Sequence, residues 1–231
     1  MSAKIKLLIV DDESATRTLL AQIFEQMGHS VRTATDGFSA LERIREAMPD
    51  VLLSDLNMPG MSGFELLSVV RRRFPGIYVI ASSGAYSGES VPYGIAADAF
   101  YEKATSFHTL LNLMENATAL DRLSRRDSSD PVPVWVSLTN NAPLSDEFVM
   151  ICCPECLRAS SQAVGEGLFL IHETACEYCQ TKIRYAVVQA LDPLTSQPYH
   201  PKLVEALTPL ITAEQLRQRP KGAAHDDLMV A

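Results

Sequence analysis

The sequence predicts an α/β protein in which a doubly wound, five-stranded parallel sheet is followed by a small, cysteine-rich β domain. Short apolar segments alternate with segments of helical period through the first 120 residues, which is the pattern of β-α repeats. All five cysteines lie between residues 152 and 179. The chain of 231 residues is long enough for one full domain and a smaller second one.

Five short apolar segments predict the strands of the sheet. The first, IKLLIV over residues 5–10, is interrupted only by Lys6, as is typical of a strand buried on both faces of a parallel sheet. The others are residues 31–34, 51–55, 77–81 and 99–101.

Apolar residues at helical spacing predict the helices between these strands. They recur from Leu19 to Met27, from Ala40 to Met48, from Phe64 to Val70 and from Phe107 to Met114. A glycine or proline follows each of the first three, where a helix should stop. Residues 86–97 contain two glycines and a proline, so a helix there is predicted to be short or irregular.

Polar side chains directly follow several of the predicted strands, namely Asp11, Asp12, Asp55, Ser83 and Lys103. Each alone is more commonly a helix cap or a surface residue. The carboxyl ends of parallel strands meet in one crevice, so together they predict a site.

Crowded carboxylates favour a bound divalent cation, and Mg²⁺ prefers oxygen ligands. A carboxylate can also attack phosphorus to give an acyl phosphate, with a cation such as Lys103 neutralising the phosphoryl oxygens.

The segments LLIVDDE, SDLNMPGMSGFELL, VIASSGA and AFYEKA resemble the response-regulator receiver family over residues 4–119. The resemblance implies a flavodoxin-like receiver fold with Asp55 as the phosphoacceptor. It implies Mg²⁺ ligated by Asp55 and Asp12, by Asp11 mainly through water, and by the backbone carbonyl of Asn57. It also makes Ser83 the switch hydroxyl, Phe100 the aromatic rotamer switch and Lys103 the phosphate-binding cation.

Two cysteine pairs, Cys153–Cys156 and Cys176–Cys179, are separated by nineteen residues. Two C-x2-C pairs at such a separation predict a tetrahedral zinc site, and four thiolates would leave no open position for a catalytic water. Residues 148–151, 168–171 and 182–188 are strand candidates around it, and the whole resembles a zinc ribbon. Redox dithiols and disulfides are the alternatives.

Three other residues near these pairs receive structural interpretations. Cys152 is predicted to be a spare thiol that acts as a small buried hydrophobe. His172 and His200 are alternative zinc ligands, but neither is separated from another candidate ligand by two residues, as the paired cysteines are. This favours plain packing or surface roles for both.

The predicted organisation is a receiver domain over residues 1–120, a linker over 121–146, a zinc-ribbon-like module over 147–192, and short helices with a disordered tail over 193–231. The linker is charged, Ser-rich and punctuated by proline. It contains Trp135, the only tryptophan, which is predicted to pack against one of the two domains.

Charge and hydropathy exclude some classes of protein. Residues 127–231 hold 7 Lys and Arg against 13 Asp and Glu, whereas residues 1–126 hold 13 against 15. Nucleic-acid binding needs clustered basic residues, so this distribution argues against a DNA-binding output. No apolar segment reaches a transmembrane length, which predicts a cytoplasmic protein without membrane insertion.

The predicted function is that of a response regulator, phosphorylated by a sensor histidine kinase, that signals to an unidentified protein partner of the zinc module. Residues after 126 contain no HExxH, GxSxG or P-loop motif, so no enzymatic activity is expected beyond self-phosphorylation and slow autodephosphorylation. The alternatives are a DNA-binding transcriptional regulator that uses the ribbon, and a phosphate-independent scaffold. A dimer is a further alternative to a monomer, because the family often dimerises through the surface formed here by residues 86–97.

Overall fold

The computed structural model describes residues 4–88, 91–103, 105–119, 132–138, 148–163 and 168–189. The helices predicted within 193–231 lie outside these residues, as does most of the predicted linker. None of the described helices is long and apolar enough to cross a membrane.

The first half of the chain forms a five-stranded parallel sheet, which confirms the predicted fold class. Its strands are β1 (Lys6–Val10), β2 (Ser30–Ala34), β3 (Val51–Asp55), β4 (Tyr78–Ser83) and β5 (Ala99–Glu102). They lie in the order β2-β1-β3-β4-β5, the flavodoxin-like order whose crevice lies beyond the carboxyl ends of the strands.

Helices cover both faces of this sheet, as in a doubly wound fold. They are α1 (Ser14–Gln26), α2 (Gly37–Glu46), α3 (Gly63–Arg73) and α4 (Phe107–Ala119). One apolar cluster lies under α2 and α3 and the other under α1 and α4. The described residues between β4 and β5 include no α-helix, in agreement with the irregular segment predicted there.

The second half contributes five strands, β6 (Val134–Leu138), β7 (Phe148–Cys152), β8 (Ala159–Ala163), β9 (Ile171–Ala175) and β10 (Lys182–Gln189). They form a three-stranded sheet in the order β6-β10-β9 and a separate β7-β8 pair. We call β6–β10 the cysteine module. Its strand β6 lies within the range predicted as linker and pairs in parallel with β10.

One strand prediction in the cysteine module was wrong, and one strand was missed. The strand predicted over residues 168–171 begins only at Ile171, because Phe169 has φ +64° and this left-handed backbone interrupts an extended segment. The strand β8 was not predicted, since its sequence ASSQA carries no apolar run.

The central strand of the three-stranded sheet, β10, is buried on both faces. Along β10, Ile183, Tyr185 and Val187 face an apolar cluster that contains β7 residues and cysteines. Ala186 and Val188 belong to the apolar cluster that also contains the buried residues of α3. Both halves belong to one compact unit, so the core of the first sheet continues into the cysteine module.

Candidate functional site

An acidic pocket with one lysine lies at the carboxyl edge of the five-stranded sheet. Asp11 and Asp12 follow β1, Asp55 ends β3 and Lys103 follows β5. The Nζ atom of Lys103 is 2.7 Å from Asp55 Oδ2 and 2.9 Å from Asp11 Oδ2. The three carboxylates each offer an oxygen within 4.8 Å of the others. The structure therefore brings together four of the five polar residues that the sequence predicted at the strand ends.

Burial and mutual charge shift the titration of this pocket. Asp11 and Asp55 are only 2% and 6% exposed. Burial raises the pKa of Asp55 despite the opposing charge and hydrogen bond of Lys103, and burial followed by repulsion from Asp11 raises the pKa of Asp12. Burial alone would lower the pKa of Lys103, but Asp55 and Asp11 outweigh it and raise that pKa. The ammonium of Lys103 therefore stays charged, whereas the carboxyl groups of Asp12 and Asp55 lose their protons at a higher pH than an isolated aspartate does.

The donor set fits a hard divalent cation. Three carboxylates face a single ammonium, which leaves negative charge uncompensated in a partly desolvated pocket. All their donor atoms are oxygens, the ligands that Mg²⁺ prefers. The raised pKa values of Asp12 and Asp55 arise first from burial, and repulsion from Asp11 adds to both shifts.

The substitution Asp12→Asn is expected to stabilise the protein in the absence of divalent cations at pH 7, by less than about 1 kcal/mol because Asp12 is partly exposed and screened. Folding raises the pKa of Asp12 above 3.8, so between pH 3.8 and the raised pKa the folded state binds more protons than the unfolded state. The free energy of unfolding therefore falls as pH rises through this range. The gain should therefore vanish below pH 3.8. Urea unfolding in a chelator measures it.

Exposed Glu25 on α1 provides the matched control for this substitution, since Glu25→Gln also removes one negative charge. Added Mg²⁺ should stabilise the wild type more than Asp12→Asn, because only a ligand that binds the folded state shifts the equilibrium. A variant Asp12→Asn that is less stable than the wild type in chelator would contradict the repulsion.

Asn57 links Asp55 to Ser83 through its backbone NH at one end and its side chain at the other, and the side-chain role was not predicted from the sequence. The backbone NH of Asn57 donates to Asp55 Oδ1 at 3.2 Å, as in an Asx turn. The hydroxyl of Ser83 donates to Asn57 Oδ1 at 3.0 Å, and Ser83 Oγ accepts from the NH of Ala85 at 3.0 Å. In this conformation the predicted switch hydroxyl is thus bonded to Asn57.

Phe100, the predicted rotamer switch, lies on β5 opposite Ala81 of β4. Its ring is half-buried and packs against the apolar cluster on the α3 face. It lies two strand positions before Glu102, which pairs with Ser83.

The four paired cysteines converge on one point in the cysteine module. Their Sγ atoms all lie within 4.8 Å of one another, with Cys153–Cys179 at 3.7 Å and Cys156–Cys176 at 3.6 Å. Thiolates about 2.3 Å from a tetrahedral zinc ion are about 3.8 Å apart, whereas a disulfide needs about 2.05 Å. The donor set and spacing fit a tetrahedral metal site.

The two C-x2-C segments have the same backbone conformation. In the first, the NH of Cys153 donates to Arg158 O at 2.9 Å and the NH of Leu157 donates to Cys153 O at 3.0 Å. The second repeats both bonds after Cys176. Leu157 and its counterpart Gln180 have φ values of +62° and +61°. Two knuckles of equal shape thus present the four sulfurs.

Cys152 and His172 do not belong to the four-sulfur cluster. The prediction that Cys152 is buried was wrong: its thiol is exposed and its Sγ is 3.4 Å from Leu157 O. Side chains alternate along β7, and Ile151 takes the inward position. The ring of His172 instead lies against Tyr185, with centroids 5.4 Å apart. His200 lies outside the described residues.

Comparison with known protein families identifies the first half of the chain. The family model of the response regulator receiver domain matches residues 7–115, which include the acidic pocket and Lys103. This part of the chain is a response regulator receiver domain.

Known proteins resemble this chain over part of its length. The nitrogen assimilation regulatory protein NtrX of Azorhizobium caulinodans is 35% identical over 123 residues, 52% of this chain and 27% of that protein. A protein-glutamate methylesterase/protein-glutamine glutaminase of Bdellovibrio bacteriovorus is 39% identical over 90 residues, 38% of this chain and 25% of that protein. The chain thus spans about a quarter of these relatives. The solved structure of CheY4 from Vibrio cholerae has 31% identity and a TM-score of 0.46, covering 50% of this chain and 99% of that one.

Aromatic rings join the cysteine module to the α3 face of the receiver domain. The ring of Trp135 lies 4.9 Å from that of Phe64 at the start of α3, and Phe169 lies 5.8 Å from Phe64. The indole NH of Trp135 donates to Gly94 O at 3.3 Å. Trp135 is 3% exposed, which confirms that it packs rather than projecting into solvent.

Polar contacts reinforce this junction. The carboxylate of Glu65 accepts from Ser62 N in the capping box of α3. The same carboxylate accepts from Ser137 N at 3.2 Å and from Ser137 Oγ at 2.7 Å. At the other end of α3, Arg72 donates to the backbone carbonyl of Val132. Both ends of the helix that follows Asp55 are therefore bonded to the segment that carries β6.

Proposed function

We propose that this chain is a response regulator that accepts a phosphoryl group on Asp55 from a sensor histidine kinase and signals through a conformational switch to a protein-binding, zinc-holding cysteine module. The observation that carries the proposal is the buried Asp55 carboxylate, 2.7 Å from Lys103 Nζ and clustered with Asp11 and Asp12. The match of residues 7–115 to the receiver family supports it.

The proposed reaction is a transfer between a phosphohistidine and a carboxylate. An Asp55 oxygen attacks phosphorus, the O–P bond forms as the N–P bond breaks, and the electron pair returns to the imidazole nitrogen. Asp11, Asp12, Asp55 and the backbone carbonyl of Asn57 would hold Mg²⁺, which supplies charge neutralisation for the phosphoryl oxygens. Attack of water on phosphorus later returns free phosphate and the Asp55 carboxylate, and we propose no further enzymatic activity.

Lys103 and Ser83 would respond to the new group. The Lys103 ammonium already bonds Asp55 Oδ2, so it lies where it can neutralise a phosphoryl oxygen on that carboxylate. The Ser83 hydroxyl would move its hydrogen bond from Asn57 to the phosphoryl group, with Phe100 repositioning on β5. Such a local charge change biases a two-state element.

The cysteine module would hold zinc through Cys153, Cys156, Cys176 and Cys179. The sulfur spacing described above and the paired knuckles support this proposal. With four thiolates the ion would be structural and closed to substrate. In so small a module, metal binding would supply much of the folding free energy.

The proposed output of the module is contact with another protein. Phe148, Met150 and Leu157 are exposed, and Met150 shares the outward face of β7 with Phe148. Apolar side chains grouped on a surface mark interaction sites. The module's described arginines are engaged locally, since Arg158 stacks over the ring of Tyr178 at 5.1 Å and Arg184 lies 4.0 Å from Glu173. This arrangement favours protein over nucleic acid.

Intact-mass measurement after incubation with Mg²⁺ and a small acyl phosphate tests the phosphoacceptor. The wild type is expected to gain one phosphate, and Asp55→Asn to gain none, because only a carboxylate can form the acyl phosphate. Glu25→Gln, which changes an exposed acid on α1, should gain phosphate as the wild type does. A wild type without any gain would reject the proposal and favour a phosphate-independent scaffold.

A further inference from the structure

The loop after β4 lies between the phosphorylation pocket and the cysteine module. The side chain of Tyr86 in this loop is hydrogen-bonded to Asn57. Its ring lies 6.0 Å from that of Phe64 and 5.9 Å from that of Phe169 in the cysteine module, both edge to face. Tyr86 therefore touches the pocket with its polar end and the module with its ring.

Asn57 is the shared partner at the pocket end of this contact. Its backbone NH bonds Asp55, and its side chain bonds both Ser83 and Tyr86. A continuous chain of contacts thus runs from Asp55 through Asn57 and Tyr86 to Phe169. A small cavity lined by Asn57, Tyr86 and Phe169 leaves room for these side chains to rearrange.

The far end of the same loop is also fixed to the cysteine module. Gly94 O accepts from the indole NH of Trp135. Gly94 has φ +86°, and a Cβ there would lie 2.7 Å from Ile171 Cδ1. The left-handed backbone favours glycine, and a Cβ would also have to displace the end of the Ile171 side chain. The loop therefore contacts the module at Tyr86 and at Gly94, and its displacement would disturb Phe169 and Trp135.

We propose that Tyr86 is a positioning residue that couples phosphorylation of Asp55 to the docking of the cysteine module, so that the unmodified pocket favours the docked state and phosphorylation weakens it. This inference rests on the proposed phosphorylation. The one hydroxyl proton of Ser83 can bond either Asn57 or a phosphoryl oxygen. When this hydroxyl turns to the phosphoryl group, Asn57 Oδ1 loses its hydrogen-bond donor. The Ser83 oxygen, which accepts from the NH of Ala85, moves as well, so the adjoining Tyr86 shifts against Phe169.

Trp135 provides a built-in reporter, because it is the only tryptophan and is 3% exposed at the junction. Phosphorylation of the wild type is expected to shift its emission to longer wavelength as the indole hydrates. Tyr86→Phe keeps the ring packing but removes the bond to Asn57, so its emission before phosphorylation should match the wild type and its shift should fall to half or less. Tyr93→Phe, in the same loop and 79% exposed, should retain the full shift.

Coupling between two sites is reciprocal, which gives a second measurement. Phe169→Ala weakens docking, so at equilibrium it should bind beryllofluoride with Mg²⁺, a non-covalent stand-in for the phosphoryl group, at a concentration about fivefold lower than the wild type does. Phosphate gain by mass without an emission shift, or a full shift in Tyr86→Phe, would overturn the relay and leave the phosphoacceptor proposal intact. No phosphate gain in the wild type would overturn both.

Discussion

The substitution Cys153→Ser is expected to abolish zinc binding and unfold the layer formed by β7, β8 and the two knuckles. Zinc contributes about 10–16 kcal/mol to the folding of small zinc modules, more than such a layer's own core can replace. That core contains Val149, Ile151 and Ile183 beside the buried sulfurs of Cys153 and Cys176. Serine cannot supply the thiolate ligand, and it would bury a hydroxyl in this apolar cluster.

Native mass spectrometry and limited proteolysis check this result. The wild type should lose one zinc ion on chelation and become susceptible to cleavage within residues 148–181. Cys152→Ser is the matched control, because its exposed thiol belongs to the adjacent residue and lies outside the four-sulfur cluster. Phosphorylation of Asp55 should survive in Cys153→Ser, since the pocket residues belong to the receiver sheet. Retention of both metal and protease resistance in Cys153→Ser would reject the zinc proposal.

The acidic pocket was predictable because its determinants are local in sequence. Asp11 and Lys103 follow strands and Asp55 ends one, and parallel strands bring their carboxyl ends to one edge. The two C-x2-C pairs are equally local, because each knuckle is closed by hydrogen bonds within six residues. Strand direction and residue spacing were therefore sufficient to identify the residues that converge.

The docking of the cysteine module could not be predicted in the same way. Trp135 contacts Phe64, and Ser137 bonds Glu65, across more than seventy residues. Nothing in the local pattern around Trp135 specifies that partner, since a short apolar strand packs equally well on any exposed apolar face. The register of β6 beside β10 likewise depends on tertiary packing.

Single side chains that depart from a regular element were also missed. Phe169 was assigned to a strand from its apolar neighbours, but it adopts φ +64° and packs on Phe64 and Tyr86. Three aromatic contacts with centroids within 6.4 Å offset the cost of a left-handed residue, which is about 1–2 kcal/mol. Asn57 was assigned only a backbone role because its side-chain bonds depend on the position of Ser83.

The substitution Gly63→Ala is expected to destabilise the receiver domain by about 3 kcal/mol or more, the upper range for overpacked sites, and to impair phosphorylation. Gly63 begins α3, and its NH donates to Leu56 O at 3.0 Å. A Cβ at this position would overlap the carbonyl oxygen of Asp55 and lie 2.7 Å from Leu56 Cα. These are backbone atoms of β3 and its exit, so relief requires moving either the helix or the phosphoacceptor.

Urea unfolding and phosphate gain by intact mass measure the two effects together. Gly76→Ala is the matched control, because a Cβ there meets nothing within 4 Å, and a glycine-to-alanine change in a loop that tolerates it is neutral or stabilising by about 0.4–1 kcal/mol. Addition of Mg²⁺ should stabilise Gly63→Ala less than the wild type, because a displaced Asp55 is a poorer ligand. Wild-type stability and phosphorylation in Gly63→Ala would show that α3 can withdraw from β3 without cost, and that its contact with Asp55 does not position the phosphoacceptor.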